Sequence, residues 1–141
     1  MKTTCFVISL FLCVSMAFAQ VPTHKDLIGK WNINLERTVS ALSGEMKEML
    51  SDKNSDAYKV LSTHWLKFEN DGKLIWAAEG MPNLSGTWTL SSNILKIKLA
   101  VSPDAQIDLS YMVAYGANSL ALNKIEAPAD FLSVSWFIKE E

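Results

Sequence analysis

The chain has 141 residues, 49% of them hydrophobic and 20% charged, and its formal net charge is −2. A chain of this length can bury one adequate core, so we expect a single domain. The weakly acidic charge is scattered along the sequence, which excludes the basic surface that nucleic acid or anionic lipid would require.

Residues 1–19 have the pattern of a secretory signal peptide. Lys2 precedes an apolar run too short to span a bilayer, and Ala17 and Ala19 supply small residues for cleavage before Gln20. We therefore predict export to the periplasm or the extracellular medium, with no transmembrane span in the mature chain.

The predicted mature domain, residues 20–141, contains no cysteine, because Cys5 and Cys13 leave with the signal peptide. It therefore has no disulfide, thiol nucleophile or cysteine metal site. The alternative is a lipoprotein attached through Cys13. It is disfavoured because Leu12 is bulky where a lipobox requires a small residue.

The first predicted strand, residues 27–35, contains the motif Gly29-Lys30-Trp31. Its side chains alternate between apolar and polar, as expected for a strand with one buried and one wetted face. The glycine lets backbone pass close to the large indole. The Gly-x-Trp pattern recurs at Gly86-Thr87-Trp88. We interpret both as strands of one closed sheet with the tryptophans inside.

Residues 36–63 form the segment with helical periodicity. An apolar stripe precedes a polar break at residues 51–56, which indicates a helix-turn-helix or one broken helix. This amphipathic insert should lie on the sheet or across a barrel mouth. Two methionines of the stripe, Met46 and Met49, then form either a soft lid over the opening or plain packing.

From His64 onward the period is two, with short turns such as Asn70-Asp71-Gly72. The alternation predicts seven more strands, at residues 64–69, 73–78, 85–90, 94–99, 106–115, 119–124 and 131–139. The protein is thus expected to be mainly β. The fold is an eight-stranded antiparallel up-and-down β-barrel with a helical insert between strands 1 and 2.

Aromatic side chains dominate the predicted interior, and in the last strand the alternation places Trp136 and Ile138 inside and Phe137 outside. An eight-stranded barrel is just wide enough to be filled by its own side chains or to hold one small ligand, so both interpretations stay open. If a ligand binds, the hydroxyls of Tyr111 and Tyr115 are its best polar anchors. The candidate ligand-binding residues are Trp31, Met46, Met49, Phe68, Trp76, Trp88, Tyr111, Tyr115 and Trp136.

The sequence has no pattern typical of catalysis, a metal site or a cofactor. His24 and His64 lie far apart in the chain and lack neighbouring residues at metal-ligand spacing. No Ser-His-Asp order and no phosphate-binding glycine loop occurs. We therefore expect a protein that is not an enzyme and that uses no metal or cofactor.

Three short motifs carry a family resemblance: Gly29-Lys30-Trp31, Phe68-Glu69-Asn70-Asp71-Gly72 and Gly86-Thr87-Trp88. With them the chain resembles the lipocalin-like domains of small exported bacterial proteins, within the calycin group. The resemblance implies a small β-barrel that is open at one end and binds small apolar molecules. Lipocalins usually carry an arginine near the last strand that packs over the first-strand tryptophan, and here the nearest substitute is Lys139.

We therefore expect an exported monomer that binds a small hydrophobic molecule, with the insert of residues 36–63 covering one mouth of the barrel. The alternative is a filled barrel without a ligand, acting through its surface as an envelope interaction or inhibitor module. Candidate contacts for that alternative are Trp65, Ile75 and Phe137, because each is apolar on a predicted wet face.

Overall fold

The computed structural model describes residues 20–127 and 132–141, and within them it has eight strands and four helices. The strands are β1 (Gly29–Ile33), β2 (Trp65–Phe68), β3 (Lys73–Ala77), β4 (Leu84–Ser91), β5 (Ile94–Ser102), β6 (Ala105–Gly116), β7 (Ser119–Glu126) and β8 (Val134–Lys139). The helices are α1 (His24–Leu27), α2 (Leu35–Ala41), α3 (Gly44–Ser51) and α4 (Asp56–Ser62). The predicted signal peptide and the first residue of the predicted last strand lie outside the described residues.

The eight strands form one closed antiparallel barrel. Each strand pairs with the next in sequence, and β8 returns to pair with β1, where Trp31 lies opposite Lys139. The predicted up-and-down barrel is therefore confirmed, and α2, α3 and α4 lie between β1 and β2. No helix in the two described ranges is long and apolar enough to cross a membrane.

Strand β5 illustrates how the alternating sequence builds the core. Leu95, Ile97 and Leu99 are buried, whereas Lys96 and Lys98 between them are exposed. Burying an aliphatic side chain of this size contributes about 1.5–3 kcal/mol relative to leaving it in water. The inward residues of the strands therefore form a continuous core.

Helix α1 packs at the end of the barrel where β1 begins, which we call the α1 end. Leu27 is fully buried there, and its carbonyl oxygen accepts a 2.8 Å hydrogen bond from Trp31 Nε1. Lys139 Nζ lies 5.3 Å from the centroid of the Trp31 ring and donates to the Asp26 carbonyl oxygen at 3.2 Å. Lys139 thus provides the cation over the first-strand indole and ties β8 to α1.

Helix α2 covers the outer face of β8, and the buried side chain of Thr38 joins the two elements. Thr38 Oγ1 donates to the Asn34 carbonyl oxygen at 2.9 Å and accepts from the Trp136 backbone N–H at 2.8 Å. The central guanidinium carbon of Arg37 lies 3.5 Å from the centroid of the Trp136 ring. Trp136 therefore lies outside the barrel against α2, and its predicted inward orientation is wrong.

The whole of β8 has the opposite orientation to the prediction. Phe137 is 2% exposed and belongs to the core, whereas Ile138 is 46% exposed. A shift of one residue exchanges the two faces of a strand, so every side chain of β8 is affected. The outer face of β8 packs against α2 and not against water, so it too carries an apolar residue, Trp136. Alternation alone therefore does not distinguish the inner face of this strand from the outer face.

We expect Thr38→Val to lower the free energy of unfolding by about 1–3 kcal/mol, because it removes the acceptor of the partly buried Trp136 N–H. Thr38→Ser keeps the hydroxyl and loses one methyl group, which corresponds to about 1 kcal/mol. Urea unfolding followed by circular dichroism gives both values. A greater loss in the serine variant than in the valine variant would contradict this role.

Candidate functional site

A cavity of about 380 Å³ opens at the end of the barrel opposite α1, which we call the mouth. It lies where β1 and β3 end and where β2 and β4 begin, and α4 and the segment after β3 form part of its border. Its lining consists of Ile33, Leu61, His64, Trp76, Ala77, Ala78, Met81, Pro82, Leu84, Leu99, Val101, Tyr111, Leu132, Ser135 and Phe137.

Four of the described lining residues of the cavity have polar side-chain atoms, namely His64, Trp76, Tyr111 and Ser135, and the others are apolar. No Asp, Glu, Lys or Arg occurs among the described residues that line it. Burying an ion without a partner costs far more free energy than burying a neutral group. The wall therefore favours an uncharged, largely apolar guest over an ionised one.

Tyr111, on β6, provides a neutral hydroxyl in this wall. The residue is 2% exposed, and burial raises the pKa of its phenol well above the ordinary value, so the hydroxyl keeps its proton. Its oxygen has no hydrogen-bond partner among residues 20–127 and 132–141. Every fully buried side-chain polar atom in those residues has a partner, so this oxygen is not fully buried, and Tyr111 lines the cavity. Tyr111 is thus available to donate to a guest.

His64, immediately before β2, is the second polar group of interest. Its Nδ1 lies 3.2 Å from the Val60 carbonyl oxygen. A carbonyl oxygen accepts and never donates, so Nδ1 carries the hydrogen and Nε2 is the acceptor of the neutral ring. Burial lowers the pKa of His64 below its ordinary value of 6.5, and hydrogen bonds to Val60 and Leu61 oppose that shift. The neutral ring is therefore the form present at neutral pH.

This lowered pKa predicts how stability depends on pH. Since the folded pKa is the lower one, the unfolded chain binds the proton more readily as the pH falls. The stabilising contribution is complete above the ordinary pKa of 6.5 and is lost as the pH falls through the lower folded pKa. Between about pH 7.5 and about pH 5, His64→Gln should lose less unfolding free energy than the wild type. Equal losses in parallel urea titrations would contradict the assignment.

The insert borders the mouth through α4 and not through α3. Leu61 of α4 lines the cavity, and the Glu79 N–H, just beyond β3, donates to Thr63 Oγ1 at 2.9 Å. Of the two predicted lid residues, Met49 is 51% exposed and Met46 is half-buried, and neither lines the cavity. At the rim itself, Met81 and Val101 are exposed.

The structure brings two of the nine predicted ligand-binding residues, Trp76 and Tyr111, to the cavity. Three others, Trp31, Phe68 and Trp88, belong to the packed core. Around them the rings are in contact with one another. Phe68 meets Trp88 edge-to-face at 5.1 Å between centroids, and Tyr115 meets Trp31 in the same way at 6.3 Å.

Sequence reasoning missed several wall residues for identifiable reasons. The predicted alternation places Phe137 on the outer face of the last strand, and with it Ser135, two residues earlier, but both residues line the cavity. Leu61 is at the end of a helix whose position over the barrel no local pattern specifies. His64 lies immediately before β2, and this position brings its side chain into the cavity wall.

Compared with known proteins, the chain matches no protein-family model, and it matches no curated protein significantly. Fold and site together define a small closed β-barrel with an apolar cavity at one end. Any assignment of function must therefore be argued from the geometry of that cavity.

Proposed function

We propose that the protein is an exported, lipocalin-like barrel that binds a small, uncharged hydrophobic molecule in the mouth cavity. The observation that carries this proposal is a cavity of about 380 Å³ with no charged residue among its described lining residues. Tyr111 supplies the hydrogen-bonding group that orients a guest within it.

The dimensions and chemistry of the cavity support this function. Small-molecule sites are typically mostly apolar clefts of about 300–1,000 Å³ with a few polar groups that set orientation. Burying about 200 Å² of apolar guest surface contributes about 5 kcal/mol at about 25 cal/mol per Å². Part of this gain is offset by the loss of translational and rotational freedom on association. We therefore expect affinities from the millimolar to the micromolar range for simple apolar probes.

The export and the lipocalin-like character rest on different observations. The pattern of residues 1–19 supports export. Lys139 over the Trp31 ring, in place of the arginine usual in lipocalins, supports the likeness to lipocalins. A binding protein, and not an enzyme, is proposed because the polar groups among the described lining residues include no carboxylate or thiol.

The alternative of a filled barrel acting through its surface has less support. The cavity contradicts complete filling, and Phe137, one of its three candidate contacts, is buried. Trp65 is half-buried with Lys30 Nζ 5.0 Å from its ring centroid, and Ile75 is half-buried too. These residues do not form the exposed aromatic cluster on which such a module would depend.

Filling the cavity tests the proposal. We expect the neutral dye N-phenyl-1-naphthylamine to bind the wild type saturably, with enhanced dye fluorescence. Ser135→Phe places a ring in the cavity, where it occupies space that the dye would otherwise fill. The dye then buries less apolar surface, and a loss of about 1.4 kcal/mol or more should weaken its binding at least about tenfold.

Ser85→Phe is the matched control, because Ser85 is an exposed strand residue that does not line the cavity. It should leave dye affinity unchanged. Thermal unfolding of both variants verifies that they are folded. Absence of dye binding by the wild type, or equal binding by a folded Ser135→Phe protein, would refute the function.

A further inference from the structure

We infer that the guest of this cavity carries a hydrogen-bond donor, as an alcohol or phenol does, and that Nε2 of His64 accepts from it. The inference rests on the proposed function and specifies the class of ligand for the same cavity. It assigns His64 as the residue that distinguishes a hydroxyl from an ether of the same skeleton.

The end of α4 fixes which ring nitrogen accepts. The Val60 carbonyl oxygen receives the Thr63 N–H at 3.2 Å, Thr63 Oγ1 at 2.7 Å and His64 Nδ1 at 3.2 Å. The His64 backbone N–H donates to the Leu61 carbonyl oxygen at 3.1 Å. The groups facing Nδ1 from α4 are therefore acceptors, and a hydrogen on Nδ1 satisfies them. The ring presents its lone pair at Nε2.

That lone pair has no partner within the part of the protein that the structure describes. Nε2 receives no hydrogen bond from any residue in the described ranges. No wholly buried side-chain nitrogen or oxygen in those ranges is without a partner, so Nε2 is accessible to a guest or to solvent. Since the ring forms part of the cavity wall, a bound apolar molecule that displaces water leaves Nε2 unpaired unless the molecule brings a donor.

The other polar groups of the wall do not make the same selection. The Tyr111 hydroxyl can donate or accept, so it binds an ether oxygen and a hydroxyl oxygen alike. The Trp76 indole N–H only donates. The neutral imidazole therefore adds a requirement for a donor that the other described wall residues do not impose. Ser135 has a hydroxyl and, like Tyr111, is tolerant of either partner.

The imidazole ring of His64 must be uncharged for Nε2 to accept a hydrogen bond, and it is uncharged at neutral pH. Desolvation is the first cause of the lowered pKa of His64, and no charged side chain contributes to it. The groups of α4 that face the His64 ring are the Val60 and Leu61 carbonyls, which carry no charge. The other titratable group of the described wall is Tyr111, whose phenol stays protonated. At neutral pH His64 is thus an acceptor and not a cation.

A matched pair of ligands tests this inference. 2-Naphthol and 2-methoxynaphthalene share one skeleton, but only the first has a donor. We expect the wild type to bind 2-naphthol roughly three- to tenfold more tightly, as measured by quenching of tryptophan fluorescence, because Trp76 lines the cavity. His64→Phe should abolish this preference. Tyr111→Phe should weaken both ligands by a similar factor and keep the preference.

The outcomes separate the inference from the function on which it rests. If the wild type binds both ligands with equal affinity, the inference is overturned while the binding function stands. If it binds neither, both are overturned. The wild-type comparison needs no substitution, so it remains decisive even if His64→Phe does not fold, and His64→Leu is the second variant. A preference that persists in either folded variant also overturns the role of His64.

Discussion

Gly86→Ala should lower the free energy of unfolding by about 3 kcal/mol or more, a loss typical of severe overpacking. A Cβ at residue 86 would lie 2.1 Å from the Lys98 carbonyl oxygen and 3.2 Å from Leu99 Cα. Both are backbone atoms of β5, and Gly86 is paired with Leu99 in the β4–β5 ladder. The two strands must therefore move apart at the middle of the barrel, which no rotation of a side chain can avoid.

Gly116→Ala is the matched control, because Gly116 also lies in a strand, and a Cβ there meets no heavy atom within 4 Å. It should change the free energy of unfolding by less than about 1 kcal/mol. Urea unfolding curves of the two variants give the comparison. Similar stabilities would show that the sheet tolerates a side chain at Gly86 and that its close approach to β5 is unimportant.

The two Gly-x-Trp motifs illustrate what the sequence could predict and what it could not. The motif correctly places Trp31 and Trp88 inside the barrel. Its two glycines, however, serve different needs. Gly29 has a φ of 124°, which residues with a side chain rarely adopt, whereas Gly86 is required by the close approach of β5. Identical sequence patterns do not reveal which of these constraints applies.

Alternation was predictive wherever one face of a strand meets water. In β5 the lysines lie outside and the aliphatic residues inside, as the sequence predicts. In β8 the outer face is covered by α2, where Arg37 stacks on Trp136. Both faces then carry apolar residues, and the orientation depends on a contact with a helix about a hundred residues earlier in the chain. Single-sequence periodicity contains no information about that contact.

The site was predictable in part for the same reason. Tyr111 and Trp76 were expected in the interior because each lies in an alternating strand, and both line the cavity. Which end of the barrel is open depends on α1, whose Leu27 fills the end near Trp31. A four-residue helix gives little periodic signal, so the sequence could not distinguish the α1 end from the mouth.

Trp31→Ala should lower the free energy of unfolding by about 3–5 kcal/mol, the range for truncating a large buried aromatic residue. Trp31 is fully buried, its Nε1 donates to the Leu27 carbonyl oxygen at 2.8 Å, and Tyr115 packs edge-to-face on its ring. The melting temperature should fall by about 10–20 °C. Trp65→Ala is the control. Trp65 is half-buried, so its loss should be clearly smaller in differential scanning calorimetry.

The same residue tests whether stability and binding reside at opposite ends of the barrel. Trp31→Phe keeps an aromatic ring but removes the hydrogen bond to Leu27, which fastens α1 to the barrel. Since Trp31 does not line the cavity, this variant should be less stable and yet bind N-phenyl-1-naphthylamine with wild-type affinity below its melting temperature. Loss of dye affinity in the folded variant would mean that α1 and the mouth are coupled through the core. The barrel would then respond to a guest as one unit, because a rigid packed interior transmits strain from one end to the other.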